Sequence, residues 1–194
     1  MYDAKTYTHL LGMPGFSDQQ LTVHFGLYEG YVKNTNLLLQ SLNTLNEQPT
    51  VGPDYAEMKR RFGWEFNGMR LHELYFENMS KEAKGRDTES PLMKQIQAQY
   101  GSFDRWQKDF VQTGALRGIG WAVLTYDPQG KQLHNTWINE HDGGHLAGSV
   151  PILIMDVFEH AFVFDYGMKR ADYIAAFMNA IHWEEVQQRF DRVQ

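Results

Sequence analysis

The sequence predicts an α+β fold: an N-terminal antiparallel helical hairpin followed by a domain that mixes helix and sheet. Three observations carry this. Apolar residues recur at helical spacing through two long stretches joined by one short turn. A β-prone run, a turn and a second β-prone run succeed one another from Trp121 to Ile138. Finally, Pro151 to Met155 is wholly apolar and of strand length, as expected of a buried strand.

In chain order, Gly12-Met13-Pro14-Gly15 is punctuation, and Ser17-Asp18 offers N-cap chemistry before a stretch from about Gln19 to Leu45. There Leu21, His24, Leu27, Tyr28, Tyr31, Leu38 and Leu42 share a helical period, as one long helix or a broken pair. The segment Pro49 to Pro53 turns the chain, and Tyr55 to Met79 is again helical, with Phe62, Phe66, Met69, His72, Leu74 and Phe76 on broad apolar faces. Two long helices with so short a connection pack as antiparallel neighbours. Lys81 to Ser90 is polar, charge-mixed and glycine-containing, which marks a boundary between halves 1–86 and 87–194. Ser90-Pro91 and Ser102-Phe103-Asp104 each open a helix. Asp127 to Gly130 is the turn of the β-hairpin, and one closing helix is expected from Arg170 to Arg192.

Composition narrows the chemistry. The 194 residues suffice for one domain or two small ones sharing an interface, and none is cysteine. Disulfides, thiolate metal sites, iron–sulfur clusters and thiol nucleophiles are therefore excluded, so any metal must be held by imidazole and carboxylate. A formal charge of -6 argues against nucleic-acid or anionic-membrane partners, which require clustered Lys and Arg. No apolar run is long enough to span a membrane, and Asp3 and Lys5 stand where an export signal would be apolar. The cytoplasm is the expected compartment.

Against that background a few residues stand out. Asp156 directly follows the apolar run and His160 lies four positions on. Burying an unpaired carboxylate costs several kcal/mol, on the order of the penalties for isolated buried charge, so Asp156 must be paired, hydrogen-bonded or coordinating a cation. A structural Asp–His hydrogen bond would satisfy it, and so would a metal. His72 and His24 sit among aromatic and aliphatic residues of the two hairpin helices, where each is either a locally bonded core histidine or a ligand. Glu140-His141-Asp142-Gly143-Gly144-His145 is a rival cluster, a self-contained metal loop on paper and a solvated loop by composition. Zinc-peptidase spacings fail by one ligand, because position 76 is Phe76 and position 156 is Asp156.

Taken in order, His24, Tyr31-Val32, Asn34, Asn36, His72, Gly120-Trp121 and Asp156-Val157-Phe158-Glu159-His160-Ala161 resemble the iron/manganese superoxide dismutase family. The likeness extends to Gly101-Ser102-Phe103-Asp104, Arg170-x-Asp172-Tyr173 and His182-Trp183-Glu184. The resemblance implies a three-stranded antiparallel sheet in the second half, superoxide as substrate, and one Fe or Mn ion between the halves held by His24, His72, Asp156 and His160. It also implies Tyr31 in the proton-supplying network with Glu140 or His141 as its partner, and a homodimer with Glu159 and His160 at its interface. Because the chain as a whole is acidic, anion capture must rest on local basic groups, for which Arg170, with Lys33, is the candidate.

Four departures accompany it, one being that Leu27-Tyr28 stands where the family usually carries a channel histidine between the first ligand and the tyrosine. Phe158 replaces the motif's tryptophan. The family's outer glutamine has no counterpart, since Gly68 fills one of its two usual places and Glu140 or His141 the other. The family's first histidine stands one position further from the tyrosine, so an ungapped match places Val23 at the ligand position, and a helical bulge is expected to bring in His24. A related scaffold with altered or lost redox activity, and a hydrolytic metalloenzyme using His141 and His145, are the alternatives.

Overall fold

The computed structural model describes residues 1–194. Helix α1 (Asp18–Asn46) starts where Ser17 Oγ accepts the Gln20 N–H at 3.0 Å, and α2 (Pro53–Glu77) starts on a proline whose missing N–H costs nothing in a first turn. Pairs such as Asn34 with Glu65, Tyr28 with Glu73 and His24 with Phe76 run in opposite order along the two helices, which makes the hairpin antiparallel. Its inner seam on α1 is Gln20, Leu21, His24, Tyr28, Val32, Thr35 and Leu42, the i, i+3, i+4 stripe of a helix with one buried face.

The second half begins with α3 (Pro91–Tyr100) and α4 (Phe103–Gly114), capped by Ser90 and Ser102. Strands β1 (Gly120–Asp127), β2 (Gln132–Asn139) and β3 (Val150–Asp156) then form one antiparallel sheet in the order β2-β1-β3. Central β1 is buried throughout its first seven residues, as a strand covered on both faces must be. The hairpin turn is held by Asp127, whose carboxylate accepts the N–H groups of Gln129 and Gly130, each at 3.0 Å. Gly120 is required where β1 begins: at φ 149° a Cβ would stand 1.9 Å from the Ile138 carbonyl oxygen.

The free edge of β3 is covered by a side chain instead of a strand. Asn78, just past α2, accepts the Ile154 N–H at 2.8 Å and donates to the Ile154 carbonyl at 3.1 Å. This amide closes the ladder as another peptide would and ties α2 to the strand that ends in Asp156.

The single closing helix expected over Arg170 to Arg192 is two helices, α6 (Arg170–Ala180) and α7 (Trp183–Asp191), after a short α5 (Val163–Tyr166). The break has a backbone cause. Ile181 is extended, at φ -63° and ψ 126°, because the chain pairs there with the end of α2: Ser80 N–H donates to Ala180 O and His182 N–H to Asn78 O, each at 2.9 Å. No helix is long and apolar enough to cross a membrane.

Candidate metal centre

Four side chains from four places in the chain converge between the hairpin and the sheet. His24 comes from the seam of α1 and His72 from α2, Asp156 is the last residue of β3, and His160 lies in the 3-10 turn Glu159–Ala161. His24 is 1% exposed whereas neighbouring Val23 is 39% exposed, so the histidine and not the valine enters the site. The expected bulge is absent. Helix α1 is regular throughout, and seven residues at 3.6 per turn bring His24 and Tyr31 to nearly the same face unaided.

The donor atoms face one point. Nε2 of His24, His160 and His72 lie 3.1, 3.2 and 3.6 Å from a single oxygen, Oδ2 of Asp156, and all four donors fall within 4.8 Å of one another. Nitrogen and oxygen ligands held about 2.0 to 2.2 Å from one first-row ion are themselves about 3 to 3.6 Å apart, so these separations suit one ion. His72 is the most telling. Its Nδ1–H donates to the Gly68 carbonyl at 2.6 Å, which leaves Nε2 unprotonated, and that atom is buried without a hydrogen-bond partner. An orphaned lone pair in a dry core is costly unless a cation takes it. The donor set therefore fits an iron or manganese ion.

Electrostatics prepares the same outcome. Burial pushes the His24 and His72 imidazoles below the usual histidine range, against the pull of Asp156, so both rings are neutral near pH 7, as a metal would require. Burial alone would raise Asp156, but His160 and then His24 outweigh it and hold the carboxyl well below the ordinary range. The other half of that carboxylate is fixed by the Phe158 N–H, donating to Oδ1 at 2.9 Å, and the Asp156 carbonyl accepts from Tyr173 at 2.5 Å.

Beside the four lies a second layer. Tyr31 stacks on His72, and its hydroxyl meets His141 Nε2 at 2.8 Å; His141 Nδ1 accepts the Trp121 indole N–H at 3.0 Å. Of the two expected partners of Tyr31, His141 makes the contact. Glu140, at φ 48°, instead accepts the Trp64 indole N–H at 2.9 Å. Gly68 makes room for the tyrosine, since a Cβ there would be 2.6 Å from its ring. Phe158 stacks on both His141 and His160, taking the position of the motif's tryptophan.

Other expected residues lie elsewhere. The guanidinium of Arg170 donates to the carbonyls of Leu116 and Gly118 at 2.6 and 2.7 Å and lies over Phe162; none of these contacts reaches the cluster. Lys33 is exposed on α1. The Glu140 to His145 loop does not gather as a metal loop: Asp142 is exposed, His145 donates to the His141 carbonyl at 2.9 Å, and both ring nitrogens of His141 are engaged. Sequence reasoning missed Gln20. Its signal was a polar residue on the buried stripe of α1, one turn before His24.

Comparison with known proteins gives the family. Residues 88–189 match the family model for iron/manganese superoxide dismutases, C-terminal domain. The chain is 35% identical over 180 residues to manganese superoxide dismutase 2 of Haloferax volcanii, covering 92% of this chain and 89% of that one. It is 36% identical over 184 residues to an iron superoxide dismutase of Saccharolobus solfataricus, at 92% and 87% coverage, and 34% identical over 181 residues to one of Cupriavidus metallidurans, at 92% and 90%. The chain belongs to the iron/manganese superoxide dismutase family.

Proposed function

We propose that His24, His72, Asp156 and His160 are the ligands of the one Fe or Mn ion with which this enzyme dismutates superoxide, and that Tyr31 and His141 supply protons beside it. The observation that carries the assignment is the buried, unpartnered Nε2 of His72 among donors at metal-ligand separations. The ion supplies the one-electron chemistry: one superoxide loses an electron and leaves as O2, and a second gains it with two protons and leaves as H2O2.

This chain's residues do the rest. Tryptophan N–H only donates, so His141 Nδ1 carries no proton, and its neutral ring is protonated on Nε2 and donates to Tyr31. The Tyr31 hydroxyl hydrogen is thereby turned away from His141 and is free to be donated towards the ligand set. Both groups hold the states this needs. Burial lowers His141 to about 4, leaving it neutral at pH 7, and raises Tyr31 far above the ordinary phenol range, keeping its proton on. Arg170, whose guanidinium is bonded to the carbonyls of Leu116 and Gly118, would draw the anion by its field rather than by contact.

Three further assignments go with it. A homodimer is supported by exposed Glu159, beside His160, and by Val163 and Phe164, 40% and 53% exposed on the same segment. The two halves 1–86 and 87–194 each contribute two ligands, and the compartment is the cytoplasm. Metal analysis of protein purified without chelators, combined with a superoxide-consumption assay, tests the function. One Fe or Mn per chain with fast dismutation is expected. Metal-free protein from metal-replete cells, or loaded protein without activity, would favour the inactive scaffold.

A further inference from the structure

We propose that Gln20 is a positioning residue that fixes the distance between the helix carrying His24 and the turn carrying His160. Gln20 is 1% exposed and lies one helical turn before His24, on the same buried stripe of α1. Its side-chain amide works in both directions at once. The Nε2–H group donates to the carbonyl oxygen of His160, and Oε1 accepts the N–H of Phe164 at 3.3 Å. A single carboxamide thus grips the turn at the ligand itself and again four residues on.

The turn's own hydrogen bonds are local: Ala161 N–H to the Phe158 carbonyl and Phe162 N–H to the Glu159 carbonyl, each at 3.1 Å, with Phe158 N–H on Asp156 Oδ1, and none of them ties it to α1. Phe162 leaves helical geometry at φ -145°, neither the 3-10 turn Glu159–Ala161 nor α5 has a side-chain cap, and α5 is only four residues long. Other ties between the start of α1 and this segment lie at the surface: Ser17 N–H donates to Asp165 Oδ2 at 2.7 Å and Tyr166 to the Gly15 carbonyl at 2.5 Å. Gln20 is the buried tie and acts on a ligand's own peptide. With α1 rigid between positions 20 and 24, the amide converts the position of His24 into the position of His160. A metal's outer partners act in this way, by removing alternative placements of a ligand before the ion arrives.

This inference rests on the assignment of His24 and His160 as ligands, and the experiment separates the two. Iron-loaded wild type, Gln20→Met, Gln20→Glu and His160→Ala are compared for metal release into excess EDTA and for the EPR spectrum of the ferric ion. Methionine keeps the length and helix preference of glutamine but makes neither bond; glutamate keeps the acceptor for Phe164 and loses the donor to His160. Release from Gln20→Met is expected to be about tenfold faster than wild type, with an altered rhombicity of the ferric signal. Should Gln20→Met fail to fold, Gln20→Glu carries the test with the same expected direction. Wild-type release and an unchanged spectrum in a folded Gln20 variant, with His160→Ala empty of metal, overturn the Gln20 inference alone. Full metal retention by His160→Ala overturns the ligand assignment beneath it.

Discussion

Two segments of this protein look alike in sequence and behave differently in the fold: Asp156 to His160 and Glu140 to His145. Each follows a β-strand and combines carboxylates with histidine. The first leaves the end of β3, whose last five residues are fully buried, and meets the inner seam of the helical hairpin. The second leaves the end of edge strand β2, turns at Glu140 with positive φ, and sends only His141 inward. Metal-site character is therefore decided by what faces the donors. Around Asp156 the neighbours are three imidazole nitrogens; around the 140–145 loop they are two indoles, a phenol hydroxyl, a carbonyl and solvent.

The sharpest way to break this comparison is to remove one donor from each segment. Asp156→Ala or His160→Ala should abolish metal retention, measured by elemental analysis, because each deletes a proposed ligand and Asp156 also supplies the only negative charge in the set. Metal loss in His145→Ala with retention in His160→Ala would reverse the account.

His141→Ala should keep the metal and lower dismutation about 10- to 100-fold, the usual cost of losing an outer partner. Loss of the metal itself in this variant would place His141 among the ligands.

A pH effect isolates the same residue. His141 titrates near 4 in the fold against 6.5 for an ordinary histidine, so between those values the unfolded chain binds more protons than the native one. Stability is then full above 6.5 and falls as pH drops towards 4, by on the order of 3 kcal/mol from this group. Chemical denaturation of the metal-free protein should show a shallower decline in this window for His141→Gln than for wild type; parallel curves would contradict the sign.

Gly68→Ala probes the close approach of Tyr31. A methyl group 2.6 Å from the ring must displace it, at a cost of about 1 to 3 kcal/mol of stability, read as a lower denaturation midpoint. An unchanged midpoint would mean the ring has room that the structure does not give it.

The smallest effect belongs to His145→Ala. It removes one hydrogen bond to the His141 carbonyl, worth about 1 kcal/mol, with metal content unchanged.

How far the sequence foresaw this differs between fold and site. The hairpin, the β-hairpin and β3 were legible because periodicity and turn residues are local. Gln20's neighbour Ser17 and the caps Ser90 and Ser102 start helices where local chemistry says they should. The break at Ile181 was not legible, since its cause is pairing with Asn78 and Ser80, about a hundred residues away along the chain. Within the site, Asp156 and His160 could be chosen because a charge emerging from an apolar strand needs an explanation. The choice between Glu140 and His141 could not, because it depends on the positive φ of Glu140 and on Trp64 claiming its carboxylate. Nor could the register of α1 be read from spacing alone. The buried face of the helix, with Val23 outside and His24 inside, settles it.

That register carries the central claim, and metal stoichiometry tests it directly. Wild type, Val23→Ala and His24→Ala are purified side by side from cells supplied with iron and manganese, and the metal per chain is measured. The account predicts one Fe or Mn ion in wild type and in Val23→Ala and none in His24→Ala. Full metal in His24→Ala would contradict it.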